Sequence, residues 1–355
     1  MTASFSRITP TQALKLLADT PLLELGHMAN QRRQAVTDPT VVTFVIDRNI
    51  NYSNICSCQC SFCAFYRHQD SPDAYWLSRQ EFAQKIAETV DAGGNQILLQ
   101  GGLHPEKTIE DYEQMLRQIK EDFPEVHIHA FGAPEVHHIA AISGMSTQQC
   151  LQRLKQAGLG TIPGGGAEIL VDRVRQRISP NKIGATGWIE TMQEAHRQGI
   201  RTTATMMFGT GESSEDLIEH LDRIRQAQDE TGGFTAFIPW TYQPDYTELY
   251  EQQGRQLQKK TSHEYLRVLA LSRIYLDNIP NIQVSWVTQG DKAAQVALNF
   301  GANDYGSLML EENVVKSAGV SFRMSLDQLV HTIRNAGFRA MERNVYYEPL
   351  REHTT

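Results

Sequence analysis

The sequence predicts an α/β fold, a (β/α)8-type TIM barrel with an N-terminal helical extension over residues 1 to about 40. Strand-like apolar runs alternate with helix-like runs almost to the end of the 355-residue chain. Helical segments of ten or more residues between strands are typical of parallel βαβ units. About seven or eight such units can be counted, and polar or glycine-rich positions follow the strands, where barrels carry their function.

Each element is predicted from local signals. Helices begin at a serine or threonine cap, usually with Glu, Gln or Asp three residues later, and several end at glycine. The predicted strands are Thr43–Asp47, Gln96–Gln100, Val126–Phe131, Gly160–Gly164, Thr202–Phe208, Phe234–Trp240 and Ile282–Val287. The predicted helices begin at Ser78, Thr108, Ser146, Ser213, Thr261 and Ser325, and two more lie near 188–199 and 293–300. Residues 41–355 are therefore expected to form one barrel domain with a C-terminal helical segment.

The composition excludes several classes of function. Hydrophobic residues make up 41 % and charged residues 21 % of the chain, as in ordinary globular proteins. The net charge is -8 and no basic cluster is present, so no nucleic-acid partner is expected. The chain has no long apolar run and no secretory signal, so no membrane span is expected. Five cysteines without a disulfide pattern favour a reducing, cytoplasmic location.

Four of the five cysteines lie between positions 56 and 63. Cys56, Cys60 and Cys63 form a C-x3-C-x2-C run, and clustered thiolates are the usual ligands of iron–sulfur clusters. Three ligands leave one iron of a [4Fe-4S] cluster open. The run resembles the signature of radical SAM enzymes, which implies that the open iron binds S-adenosylmethionine (SAM) and that Phe62 lies beside the adenine. Cys58 is interpreted as a bystander that faces away from the cluster.

The alternative for the cysteine run is a structural zinc site in a binding protein without catalysis. Zinc prefers four ligands, and Cys58 or His68 could complete the set. The two interpretations predict different metals and different colours of the purified protein.

Two strand-end turns are candidates for contacts with SAM. Gln100, Gly101 and Gly102 end a strand, and glycine lets the backbone approach a ligand closely. The resemblance implies that this turn meets the methionine moiety of SAM. Glu168 follows a glycine run past another strand end and is a candidate for the amino group or the ribose hydroxyls.

Charged and aromatic side chains complete the candidate site. Arg173, Arg175 and Arg177 follow on a helical face. One of them, with Arg173 and Arg177 preferred, is expected to pair with the SAM carboxylate, although a solvated basic face is an equal alternative. Trp240, Tyr242 and Trp286 suit an aromatic substrate, with rim packing as the alternative.

Longer stretches resemble one particular family. The matching stretches are residues 63–67, 96–105, 203–209 and 285–290. They resemble the cyclic dehypoxanthine futalosine synthases of the futalosine route to menaquinone, over roughly residues 40–345. The sequence of the segment Cys56–Cys60, with its additional cysteine, departs from the usual cysteine loop of that family.

The resemblance implies a radical cyclisation of a small-molecule substrate. A radical derived from SAM would abstract the ribose C4' hydrogen of dehypoxanthine futalosine, and the resulting carbon radical would add to the substrate's own arene. A base is then needed, and the candidates are His104, Glu168 and His129; His129 shares one strand face with His127. A flavodoxin or ferredoxin-type protein is the expected electron donor. Aminofutalosine synthase and a deazaflavin-cofactor synthase are the neighbouring enzyme alternatives.

Overall fold

Strands and helices alternate through the computed structural model, which describes residues 6–320 and 322–354. The strands are β1 (Val41–Val45), β2 (Asn49–Asn51), β3 (Gln96–Gln100), β4 (His127–Ala130), β5 (Thr202–Phe208), β6 (Phe234–Thr241), β7 (Asn281–Ile282), β8 (Asp304–Ser307), β9 (Arg339–Arg343) and β10 (Pro349–His353). The helices are α1 (Pro10–Asp19), α2 (Leu22–Val36), α3 (Arg79–Asp91), α4 (Ile109–Asp122), α5 (Ala133–Ile142), α6 (Thr147–Ala157), α7 (Asp172–Ile178), α8 (Ala185–Arg197), α9 (Ser214–Thr231), α10 (Glu248–Gln252), α11 (Ser262–Tyr275), α12 (Trp286–Gln289), α13 (Asp291–Ala297), α14 (Val314–Ser317) and α15 (Leu326–Asn335).

Parallel pairing closes the strands into a barrel. β2, β3 and β4 pair in order, as do β5, β6 and β7. Isolated parallel bridges at Thr161 and Ile162 join β4 to β5, and a bridge from Gln283 to Asp304 joins β7 to β8. β8 pairs with β1, whose chain runs on into β2. The predicted (β/α)8-type barrel is confirmed, although the predicted strand 160–164 is reduced to two bridges.

The N-terminal helices lie on the outside of the barrel. α2 packs against α11, and α1 packs against α9 and α11. Arg267 on α11 donates a hydrogen bond of 2.9 Å to the carbonyl oxygen of Thr20, at the end of α1. The helices agree with the expected extension, while the division into an extension and a barrel domain stays a prediction.

Two late segments differ from expectation. The predicted strand 282–287 ends at Ile282, and Trp286 begins the short helix α12. The turn buries the Trp286 ring and lets its indole donate to the carbonyl oxygen of Ser307 at 2.8 Å. The C-terminal segment is also not wholly helical, because β9 follows α15, pairs in parallel with β1 and forms an antiparallel hairpin with β10. The hairpin thus extends the sheet beside β1, on the side opposite β8.

None of the described helices is long and apolar enough to cross a membrane.

Candidate active site

A cavity of about 430 Å³ occupies the barrel lumen. Its wall includes side chains at alternating positions of the chain, such as Asp47, Asn49 and Asn51, which run from the end of β1 through β2. Alternation is expected because successive side chains of a strand point to opposite faces. The cavity extends from the cysteine loop and the strand-end turns down to residues of the C-terminal hairpin.

The cysteine loop forms one end of this cavity. Cys56, Cys60 and Cys63 all line it. The loop is held from both sides: the Leu103 amide donates to the Cys56 Sγ at 3.3 Å, and the Ser61 amide donates to the carbonyl oxygen at the end of α7 at 3.0 Å. The structure therefore brings the three predicted ligands together at the cavity surface.

Cys58 does not face away from this site, contrary to expectation. Its side chain is buried and lines the same cavity, with its Sγ 3.4 Å from the Sγ of Cys60. Either thiol can donate to the other, and the contact lowers the pKa of Cys60 and raises the pKa of Cys58. Sequence spacing could not show this contact because it depends on the path of the loop.

The turn after β3 approaches the cysteine loop too closely for any side chain. A Cβ at Gly102 would lie 2.1 Å from the carbonyl oxygen of Ile55, and one at Gly101 would lie 2.4 Å from the Tyr52 ring. Gln100, Gly101 and Gly102 all line the cavity. Glycine is therefore required at this turn by contacts with Ile55 and Tyr52 of the protein itself. The predicted contact with SAM stays a prediction.

Glu135 fixes the same turn and was not among the predicted site residues. Its carboxylate accepts from the Gly101 amide at 3.0 Å, the Tyr52 hydroxyl at 2.6 Å and the Gly132 amide at 2.6 Å. Burial raises its pKa to about 7. A carboxylate three residues after Gly132, at the start of α5, indicates helix capping. Its position in the sequence does not indicate the hydrogen bond from the Gly101 amide.

Glu168 lies in the cavity wall beside the cysteines. It is 5 % exposed, and its Oε1 accepts from Lys182 at 3.0 Å. Its Oε2 is 3.5 Å from Arg175 and makes no hydrogen bond. Lys182 also lies 5.1 Å above the Phe62 ring. Burial opposes the charge of Lys182, but Cys60 and Glu168 outweigh it and raise its pKa.

The predicted arginine contacts lie elsewhere. Arg173 is on the outer surface, where it pairs with Asp216 at 2.5 Å, and Arg177 donates to the carbonyl oxygen of Thr210 at 3.0 Å. Neither lines the cavity. Arg175 is the buried member of the three and holds the carbonyl oxygen of Ala167 at 2.6 Å. Arg175 thus supports the turn that carries Glu168, and Lys182 is the cation that faces the cofactor end of the cavity.

The aromatic candidates separate into two groups. Trp240 and Trp286 line the cavity. Tyr242 is 2 % exposed, does not line the cavity and shares a hydrogen bond with the Thr247 hydroxyl. Its position fits the packing alternative.

The two predicted histidines also differ. His129 lines the cavity, its Nδ1 lies 2.7 Å from the Thr161 hydroxyl, and burial lowers its pKa to about 3. His104 lies outside the cavity lining and packs edge-on against Trp76. Its Nδ1 accepts from the Glu106 amide at 3.2 Å.

The site fits a [4Fe-4S] cluster with SAM. Three thiols converge on one cavity, and the unbonded Glu168 Oε2 in its wall requires a donor such as an ammonium group. In the described part of the chain, no three Cys, His, Asp or Glu side chains lie close enough to hold a single metal ion. A cluster accepts thiolates spread over a wider span.

Comparisons with known proteins identify the family of the chain. The radical SAM superfamily matches residues 50–224, and the CofH/MqnC C-terminal region matches residues 231–354. The chain is 44 % identical over 354 residues to cyclic dehypoxanthine futalosine synthase of Streptomyces coelicolor, covering 99 % of this chain and 88 % of that protein. It is 42 % identical over 313 residues to the 5-amino-6-(D-ribitylamino)uracil–L-tyrosine 4-hydroxyphenyl transferase of Methanopyrus kandleri, covering 87 % and 85 %. The hydrogenase maturase HydG of Carboxydothermus hydrogenoformans shares the fold, with a TM-score of 0.76, 19 % identity and coverage of 96 % and 78 %.

The barrel, the cysteine loop and these matches define a radical SAM enzyme, which uses a [4Fe-4S] cluster and SAM. Within that superfamily, the chain belongs to the family that contains the cyclic dehypoxanthine futalosine synthases.

Proposed function

We propose that the protein cyclises dehypoxanthine futalosine to cyclic dehypoxanthine futalosine. The observation that carries the proposal is the 44 % identity to a synthase of that name along 99 % of the chain. The identity spans both the radical SAM part and the C-terminal region. The reaction joins the ribose C4' carbon to the substrate's own arene, so the protein's main task is to hold these two groups together.

The bound cluster and SAM supply a 5'-deoxyadenosyl radical after one-electron reduction. Cys56, Cys60 and Cys63 would hold the cluster, and Glu168 and Lys182 would hold the charged groups of SAM. A substrate bound in the mostly apolar lumen would exclude water from the reacting carbon.

The cavity wall near the carboxyl ends of β6 and β7 offers surfaces for the substrate. Trp240 and Trp286 provide apolar faces for the arene. His129 is the proposed proton acceptor among the three candidates, because its imidazole is neutral and lines the cavity. Rearomatisation removes one proton, which this imidazole would accept, and one electron, which the oxidised form of a flavodoxin or ferredoxin-type protein would accept. His104 does not line the cavity, and its role as the base stays a prediction.

The second candidate function is transfer of the tyrosine 4-hydroxyphenyl group to 5-amino-6-(D-ribitylamino)uracil. The 42 % identity to the Methanopyrus kandleri transferase favours it. Anaerobic assays with SAM and reductant decide between the two. We expect cyclic product from dehypoxanthine futalosine and no coupled product from the uracil with tyrosine. SAM cleavage without cyclic product, together with formation of the coupled product, would reverse the assignment.

The proposal includes a cytoplasmic location and a flavodoxin or ferredoxin-type electron donor. The proposed electron donor is supported by the cofactor's need for single electrons at low potential. Reduced flavodoxin should replace dithionite in the assay, and failure of every small electron-transfer protein tested would count against this partner class.

A further inference from the structure

The floor of the cavity carries two carbonyl oxygens without a hydrogen-bond partner. They are the Asn49 Oδ1 and the Gln96 Oε1, on side chains of residues that are 4 % and 3 % exposed. The Gln96 amide has a fixed orientation, because its Nε2 donates to Asp47 at 2.9 Å. Both residues line the same cavity. Buried acceptors rarely stay unpaired in native proteins, so a ligand that donates hydrogen bonds is expected here.

The charges around the floor select against an anion. Asp47 accepts from the Ser307 hydroxyl and from Gln96. Arg343 also lines the floor, but it makes two hydrogen bonds to Asp304, at 2.6 and 3.0 Å, which offset its charge. The Asn49 and Gln96 oxygens therefore need donors, and hydroxyl groups, which donate without adding a charge, fit this chemistry.

The floor is separate from the cofactor end of the cavity. Gln96 begins β3, whereas Gln100 ends it beside the cysteine loop. Four residues of strand correspond to roughly 13 Å. Asn49 lies level with Leu98 of β3, also below Gln100. A ligand on the floor is thus a part of the substrate rather than of SAM.

We propose that Asn49, Gln96 and Asp47 form a subsite for the hydroxyl groups of a pentose-derived substrate. The identity of that substrate rests on the proposed function, since the ribose of dehypoxanthine futalosine carries such hydroxyls. The ribityl chain in the name of the transferase relative presents the same chemistry.

The test compares Asn49→Leu and Gln96→Met with a matched control, Asn30→Leu. The Asn30 Oδ1 is also buried without a partner, but it lies on α2 outside the cavity. Equilibrium binding of dehypoxanthine futalosine and of 5-amino-6-(D-ribitylamino)uracil is measured anaerobically on the cluster-loaded enzyme with SAM. Iron content, SAM affinity and the thermal midpoint are recorded for each variant.

We expect tenfold or weaker binding of the accepted substrate in both cavity variants, with unchanged SAM affinity and iron content. Asn30→Leu should bind it like the wild type. An analogue that lacks one ribose hydroxyl should bind the wild type more weakly than the parent compound does. On the variant that has lost the partner of that hydroxyl, either Asn49→Leu or Gln96→Met, the analogue and the parent compound should bind with equal affinity.

The outcomes separate this inference from the proposed function. If only the ribityl compound binds, and the two variants weaken it, the subsite stands and the cyclase assignment falls. If cyclic product forms but neither variant changes substrate affinity, the subsite is refuted and the cyclase stands. Binding of neither compound by the wild type refutes both.

Discussion

At the scale of single residues, Cys58 is the side chain that distinguishes this site from a simple three-cysteine loop. It is buried beside Cys60 and lines the cofactor cavity. The two sulfurs lie 3.4 Å apart, so one thiol can donate to the other when that one ionises, and the contact lowers the pKa of Cys60. A cluster ligand must be a thiolate, and the C-x3-C-x2-C spacing assigns that role to Cys60 rather than to Cys58.

We predict that Cys60→Ser loses most of the cluster iron, whereas Cys58→Ser retains about four irons per chain. The reason is that only Cys60 belongs to the set of three spaced ligands. Iron and sulfide analysis after anaerobic reconstitution measures the difference. Cys150→Ser is the control, because Cys150 is buried under α5, where its thiol faces the carbonyl oxygen of Val136. Equal iron loss in Cys58→Ser and Cys60→Ser would contradict the assignment.

Glu168 provides a second prediction for a single residue. Its unbonded Oε2 is placed to accept from the cofactor. Glu168→Gln keeps the shape but removes the charge, so SAM affinity should fall about 10- to 100-fold, as for loss of a charge-assisted hydrogen bond. Calorimetric titration of SAM into the cluster-loaded protein tests this. Glu121→Gln, an exposed glutamate at the end of α4, should bind SAM normally; unchanged affinity in Glu168→Gln would remove Glu168 from the site.

At the scale of elements, the sequence predicts what local signals encode. β3, β5 and β6 are apolar runs, and most of their residues are buried, so composition alone marks them. β8 has the sequence Asp-Tyr-Gly-Ser, yet all four residues are buried. It is stable there because Arg343 pairs with Asp304 from 39 positions away, and no local pattern shows such a partner.

The same distinction separates the site residues. The three candidate cluster ligands, the Gly101–Gly102 turn and Glu168 are predicted from spacing and strand ends, and all of them line the cavity. Lys182 and Glu135 belong to the site only through their partners in space, and Arg173 was preferred to Arg175 because sequence does not reveal which side of α7 is buried.

The C-terminal hairpin gives a prediction at this scale. Arg343→Met leaves Asp304 buried without its cation, which should destabilise the protein by about 3–5 kcal/mol. Combining it with Asp304→Asn should recover part of the loss, since the uncompensated charge is then gone. Anaerobic thermal midpoints of the two single variants and the double variant measure the coupling. Strictly additive losses would show that the pair does not hold β9 against β8.

At the scale of the whole molecule, the barrel encloses imidazoles that fold in the neutral form. Burial lowers the pKa of His127 and His196 to about 4, and of His129 and His220 to about 3. These four groups lie at different places around the barrel, beside β4, α8 and α9. Their effect on stability is therefore a property of the entire fold rather than of the active site.

The unfolded chain binds protons at these histidines near pH 6.5, whereas the folded chain does not. Their contribution to stability is therefore complete above pH 6.5 and is lost as the pH falls toward 4, by up to about 1.4 kcal/mol per histidine per pH unit. His196→Gln, at a site between Thr202 and Thr231 remote from the cavity, should flatten the fall of the anaerobic thermal midpoint between pH 7 and pH 5. His331→Gln on an exposed helix face should leave it unchanged. Parallel curves for wild type and His196→Gln would show that this imidazole does not fold in the neutral form.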